Sequence, residues 1–162
     1  MEFDTRAFRN ALGHFATGIV VVTAQAEKRE PVAMTVSSFN AVSLDPPLVL
    51  FSIGREAPSL PTLLAAESFG ISVLRQDQSE LSNRFSHAKD KKWSGLDPLL
   101  GRTGCPLIAP SLATFECAHF ATHDGGDHII IIGCVLSFEV GSEGEPLVFF
   151  RGKYHAIAAC AA

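Results

Sequence analysis

The chain has 162 residues, a formal net charge of -4, 47% hydrophobic residues and 19% charged ones. That length suits one domain over residues 1–162, and the negative charge argues against nucleic acid or an anionic membrane as partner. No run approaches the roughly 20 apolar residues of a membrane span, and an opening with Glu2, Asp4 and Arg6 has no basic-then-apolar leader, so the expected location is cytoplasmic.

Residues 4–16 read as a helix. Asp4 is placed to cap it, and Phe3 and Phe8 occupy the two positions of a hydrophobic staple. Gly18 ends the helical pattern, and the β-branched run from Ile19 to Thr23 predicts a strand buried on both faces. A charged turn and a second strand over 32–38 follow. Pro46 and Pro47 forbid helix and mark a turn before a third strand over 48–53.

A short helix is expected near 61–67 and a fourth strand over 69–74. Residues 77–87 form a second clear helical pattern, with Asp77 and Glu80 as a capping box and Leu81 and Phe85 one turn apart. Residues 89–104 are polar and contain glycines and Trp93, the composition of a loop or lid. Strands over 113–122, 128–140 and 146–150 complete the chain, with Asp124-Gly125-Gly126-Asp127 as a hairpin turn. Five to seven strands with few helices predict a mainly β fold, an antiparallel barrel closed or nearly so. The apolar surplus for so small a chain points to a surface that a second copy covers.

Cys105, Cys117, Cys134 and Cys160 are widely spaced, with no CxxC pair, and read as small buried hydrophobes. GxGxxG, GxxxxGK[ST], GxSxG and HExxH patterns are all missing. Three segments remain that could carry chemistry. Thr35, Val36, Ser37 and Ser38 follow a hydrophobic strand and offer short donors to an anion or a carbonyl-rich ring, or simply make local turn hydrogen bonds. Ser52, Ile53, Gly54 and Arg55 could receive a phosphate on the arginine fork, or form an ordinary glycine turn. His128, beside the hairpin turn, could move a proton or contact a ligand, or be a solvated residue paired with Asp127.

A metal site built from His119, His123, Asp127 and His128 is the rival for that last segment. His119 and His123 would lie about 13 Å apart on one strand, so they cannot share an ion unless the strand breaks. His123 and His128 could still face each other across the hairpin, but two ligands fall short of the usual three or four, and the expectation is no metal.

Taken in order, the segments resemble the short-chain flavin reductases, the small components of two-component flavin-dependent monooxygenases. The likeness runs through residues 8–23, which end in Val20-Val21-Val22-Thr23. It continues through Met34-Thr35-Val36-Ser37-Ser38-Phe39, residues 42–49, Leu81-Ser82-Asn83-Arg84-Phe85, Gly126-Asp127-His128 and residues 146–154. Ala33 stands where the family often has glycine, and Ser86 where it more often has alanine.

The resemblance implies a split β-barrel of the FMN-binding type and a homodimer. It implies NADH or NADPH as donor and FMN or FAD as acceptor, with reduced flavin passed to a separate monooxygenase. It would place Thr35, Val36, Ser37 and Ser38 along the isoalloxazine, and Ser52, Ile53 and Arg55 at the ribityl and phosphate part. Phe85, Lys92 and Trp93 would bound the nucleotide side, and His128 and Tyr154 the nicotinamide side. His128 would be the residue nearest to a catalytic role. The alternatives are a flavin-binding sensor or storage protein on the same barrel, and a flavin-linked oxidase.

Overall fold

Asp4 opens helix α1 (Thr5–Leu12): its carboxylate accepts the N–H groups of Arg6 at 2.9 Å and Ala7 at 3.0 Å, which have no partner inside the helix. The Phe3 and Phe8 rings meet at 5.2 Å as the expected staple. The helix stops short of residue 16 because the chain turns at Gly13, whose carbonyl accepts the Arg151 N–H at 2.8 Å. No residue of α1 is buried.

The computed structural model describes residues 3–26, 30–87, 92–141 and 143–158. Among these, α1 is followed by strands β1 (Thr17–Gly18), β2 (Val20–Ala24), β3 (Val32–Val36), β4 (Asn40–Leu44) and β5 (Pro47–Gly54). Helix α2 (Leu60–Ala65), strand β6 (Ser68–Val73) and helix α3 (Ser79–Ser86) come next. Strands β7 (Leu99–Leu100), β8 (Pro106–Leu107), β9 (Ala113–Gly125), β10 (His128–Val140), β11 (Val148–Phe150) and β12 (Lys153–His155) complete the order. No described helix is long and apolar enough to cross a membrane.

Seven strands form one antiparallel sheet in the order β3-β2-β6-β9-β10-β5-β4. The outermost strands, β3 and β4, are joined in the chain by only Ser37, Ser38 and Phe39. Four peptide steps span at most about 14 Å, so the two edges must approach and the sheet must curl. They meet without a ladder of their own, which makes the barrel split. A side chain bridges the gap: Ser38 Oγ accepts the Ser52 N–H at 2.9 Å.

The unbroken run in β2 is explained by two cores. Val20, Val22 and Ala24 pack inside the barrel with Phe51, Phe69, Ile71 and Ile131. Ile19 and Val21 face outward into a second cluster with Ala33, Leu74, Phe85, Trp93 and Leu147. Alternate residues of β3 divide in the same way: Met34 and Val36 go inward, while Ala33 lies outward, toward α3.

Three sequence expectations need revision. Strands β1, β4, β7, β8 and β12 were not anticipated, because β4 is an exposed edge with little apolar alternation and the others have two or three residues each. The helix expected over 77–87 is split into a 3-10 turn, Gln76–Gln78, and α3. Asp77 does not cap it: its carboxylate pairs with Arg75 at 2.6 Å, while Gln78 Oε1 takes the Arg75 N–H at 2.8 Å. The expected lid is anchored at Trp93, while most of its other described residues stay exposed. Trp93 is 6% exposed, and its ring N–H donates to the Pro31 carbonyl at 2.5 Å.

Two tight hairpins close the β9–β10 and β11–β12 pairings. Gly126, with φ 77, starts the β9–β10 turn, which closes between Gly125 and His128. Arg151 and Gly152, with φ 49 and 76, form the β11–β12 turn, the doubly positive geometry that favours glycine. A Cβ at Gly152 would meet nothing within 4 Å, so the cost of Gly152→Ala is purely conformational. We expect a loss of about 1–2 kcal/mol, read as a lower urea midpoint at unchanged slope.

Candidate functional site

The split in the barrel brings the first two candidate segments together. Thr35 and Val36 lie at the end of β3, paired with Val21 and Val20. Val36 is 4% exposed and belongs to the core, whereas Ser37 and Ser38 are exposed. Ser38 Oγ accepts from Ser52 N–H and reaches the Ser52 carbonyl at 3.3 Å. Ile53 points into the barrel at 1% exposure, leaving Ser52 and Gly54 toward the rim.

The third segment adjoins the second through the sheet, since His128 pairs with Gly54 across the β10–β5 ladder. Arg55 is tied to the hairpin tip: its Nε–H donates to the Gly126 carbonyl at 2.7 Å, and its guanidinium meets Asp124 at 2.8 Å. Even so, its side chain stays 41% exposed. His128 Nδ1 lies 2.7 Å from the Asp127 carboxylate. A carboxylate accepts, so Nδ1 carries the proton and Nε2 is left as the outward nitrogen. The His128 hydrogen bond holds the Asp127 carboxyl below its ordinary value. Asp124 is lowered too, first by the Gly126 N–H and then by Arg55.

The remaining candidates gather on the outer side of β3, around α3. Thr35 donates its hydroxyl proton to the Ser82 carbonyl at 2.6 Å. The Tyr154 hydroxyl sits 2.8 Å from Ser82 Oγ and 3.0 Å from Asn83 Oδ1. Phe85 and Trp93 are 1% and 6% exposed and pack ring to ring at 5.2 Å. Lys92 lies over them, its ammonium donating to the carbonyls of Ala33 and Phe85, each at 3.3 Å. Burial lowers its pKa. Ser82 and Asn83 are the residues the sequence reading left out. They stood inside the quoted run around Phe85, but nothing in their spacing announced two hydrogen-bonding neighbours from distant strands.

The structure also explains residues that once competed for a role. His119 Nε2 lies 2.6 Å from the Leu63 carbonyl and its ring packs on Phe69, so it braces α2. Cys105 and Cys117 are buried, which pushes their thiols up to about 11 and about 12. Cys134 is partly buried, and Cys160 lies outside the described residues. An open groove of about 780 Å³ between α2 and residues 103–105 lies at the other end of β2 from Val36, and no candidate residue lines it.

Beside that groove stands Glu116, a 5% exposed carboxylate with an anchoring task. It accepts from Arg102 N–H at 2.9 Å, Thr103 N–H at 2.6 Å and Thr103 Oγ1 at 2.7 Å. A Cβ on Gly101 would stand 2.5 Å from its Cδ, so only glycine lets the loop close over the acid. Burial raises the Glu116 pKa, but the Thr103 and Arg102 hydrogen bonds outweigh it and hold the group below its ordinary 4.5. Its stabilisation is therefore complete above about pH 4.5 and lost as pH falls through the lower folded value. Glu116→Gln is expected to cost about 1–3 kcal/mol at neutral pH and to flatten this acid limb, as measured by urea unfolding across pH.

With this geometry in place, the relatives can be set beside it. Residues 12–158 match the flavin reductase like domain. The chain belongs to that family. It is 45% identical over 151 residues to the FMN reductase (NADH) SmoA of Agrobacterium fabrum, covering 93% of this chain and 85% of that one. It is 39% identical over 158 residues to HsaB of Mycobacterium tuberculosis, the reductase subunit of a flavin-dependent monooxygenase, covering 96% and 84%. A longer relative from Rhizobium meliloti is 41% identical, and this chain spans 49% of it. Among solved structures, the NADH:FAD oxidoreductase SgcE6 of Streptomyces globisporus, in complex with NAD and FAD fragments, superposes with a TM-score of 0.91. It has 35% identity, over 100% of this chain and 99% of that one. The barrel and its family are thus shared across nearly the whole chain.

Proposed function

We propose that this chain reduces FMN or FAD with NADH or NADPH, and releases the reduced flavin to a separate monooxygenase. The observation that carries the reading is the convergence at the split: Ser37, Ser38, Ser52, Gly54, Arg55 and His128 line one rim, with Thr35, Lys92 and Tyr154 beside it.

These residues suit a flavin nucleotide. Ser37 is an exposed hydroxyl in a turn, and Lys92 brings a fixed ammonium between β3 and α3. The exposed side of Arg55 suits the phosphate or ribityl part. Phe85 and Trp93 act from beneath, as the packed floor that holds Lys92 in place.

The nicotinamide supplies the hydride and the flavin takes it, a transfer that needs no acid or base from the protein. The side chains orient the two rings and exclude water from between them. Lys92 and the serine hydroxyls answer negative charge gained at the pyrimidine edge of the flavin. His128, its tautomer set by Asp127, offers Nε2 as an acceptor for the nicotinamide carboxamide N–H.

The active unit is a homodimer. Phe8, Leu12 and Phe15 are 50%, 58% and 76% exposed in the single chain, as are Leu136, Phe138 and Val140 toward the end of β10 at 56%, 67% and 84%. The Thr17 hydroxyl beside α1 is buried without a partner. So much apolar surface on a small domain calls for a cover. Phe138→Glu is expected to move the sedimenting species from dimer toward monomer; a wild-type monomer would contradict this.

That flavin exchanges as a substrate rather than staying as a fixed group is tested by desalting the protein after mixing with FMN or FAD. Most flavin should separate from the protein and rebind on addition. Flavin retained at one per chain through repeated desalting would overturn the release to a partner.

A further inference from the structure

Thr35 and Ser38 carry opposite hydrogen-bonding polarity. Thr35 Oγ1 lies 2.6 Å from the Ser82 carbonyl oxygen. A carbonyl only accepts, so the single hydroxyl proton of Thr35 is spent there, and what remains to offer is a pair of lone pairs. At 2.6 Å this is a short O–H···O bond. Its acceptor cannot swing away: Ser82 is 0% exposed, its side chain is 2.8 Å from the Tyr154 hydroxyl, and α3 is packed down through Phe85 on Trp93. Ser38 is the reverse. Its lone pair takes the Ser52 N–H at 2.9 Å, and its proton has only the long 3.3 Å contact to the Ser52 carbonyl.

We propose that Thr35 meets the flavin as an acceptor and never as a donor, and reads the imide N–H of the pyrimidine ring. The inference rests on the flavin reading above. Oxidised isoalloxazine presents carbonyl, N–H and carbonyl along that edge, with N3–H as its one ring N–H. An acceptor at Thr35 and a donor at Ser38 match this alternation, and a ring bearing acceptors alone would leave the Thr35 lone pairs facing its own. Ser82 acts through Thr35 and is a positioning residue.

The test is equilibrium binding, followed by flavin fluorescence, of FMN and its N3-methyl derivative to the wild-type chain and to Thr35→Val. Valine keeps the shape, so any purely steric penalty of the methyl group is common to both proteins. The expected result is that methylation weakens binding to the wild type by about tenfold or more, the scale of one lost hydrogen bond, and that this penalty shrinks severalfold in Thr35→Val. Thr35→Ser should restore the wild-type penalty. An equal methylation penalty in wild type and Thr35→Val would overturn the inference and leave the flavin reading standing. Failure of the wild type to bind FMN or FAD at all would overturn the reading itself.

Discussion

Replacing Phe85 with alanine is expected to lower the unfolding free energy by about 3–5 kcal/mol, a large share of the 5–15 kcal/mol typical of a domain. The ring is 1% exposed, packs on Trp93 at 5.2 Å and belongs to the outer core shared by β2, β3 and α3. Its loss leaves a cavity that Trp93 cannot fill without giving up its bond to Pro31. The damage reaches the site, because the Phe85 carbonyl holds Lys92 and α3 holds the partner of Thr35. Flavin affinity should therefore fall along with stability, in protein that is still folded. Phe85→Leu, which keeps most of the volume, should cost much less and retain affinity. A loss below 1 kcal/mol for the alanine variant would show that the outer core is not what holds α3.

Replacing His128 with alanine is expected to raise the KM for NADH about tenfold, with a much smaller change in the KM for flavin. The imidazole is fixed by Asp127 at 2.7 Å, is 49% exposed and sits next to Gly54 at the rim. One lost hydrogen bond of about 1–1.5 kcal/mol gives that factor. Hydride transfer asks for no proton from the histidine, so kcat should fall only severalfold. Asp127→Asn should act in the same direction, because a carboxamide no longer fixes the proton on Nδ1. Equal KM values for wild type and His128→Ala would remove His128 from the nicotinamide side.

The parts of the fold legible in the sequence were those written in short-range pattern. The unbroken run of β2 announced burial on both faces, Asp4 announced a helix start, and glycines at 125 and 126 announced a hairpin. Parts fixed by distant partners were not legible. Trp93 sits in a polar stretch and reads as a loop residue; only the outer core, assembled from β2, β3 and α3, shows why it is buried. Asp77 is a different case: its partner Arg75 is only two residues away, but a capping box and a local ion pair compete for the same carboxylate and the pattern does not say which wins.

The candidate site divides in the same way. Ser38 and Ser52 were both singled out, yet their hydrogen bond across the split depends on closure of a seven-stranded sheet. Ser82 was passed over since a serine inside a helical pattern is unremarkable until Thr35 and Tyr154 converge on it. Glu116 carries no motif at all, because its partners are backbone N–H groups of a loop that any sequence with glycine at 101 could supply.

The measurement that bears most directly on the central claim is the rate at which the purified chain oxidises NADH or NADPH, followed by nicotinamide absorbance, as FMN or FAD is added. A flavin reductase should consume little nicotinamide without flavin, and its rate should rise and saturate as flavin is added. A chain that binds flavin but consumes neither nicotinamide would contradict that claim, and would make the barrel a flavin-binding module without reductase activity.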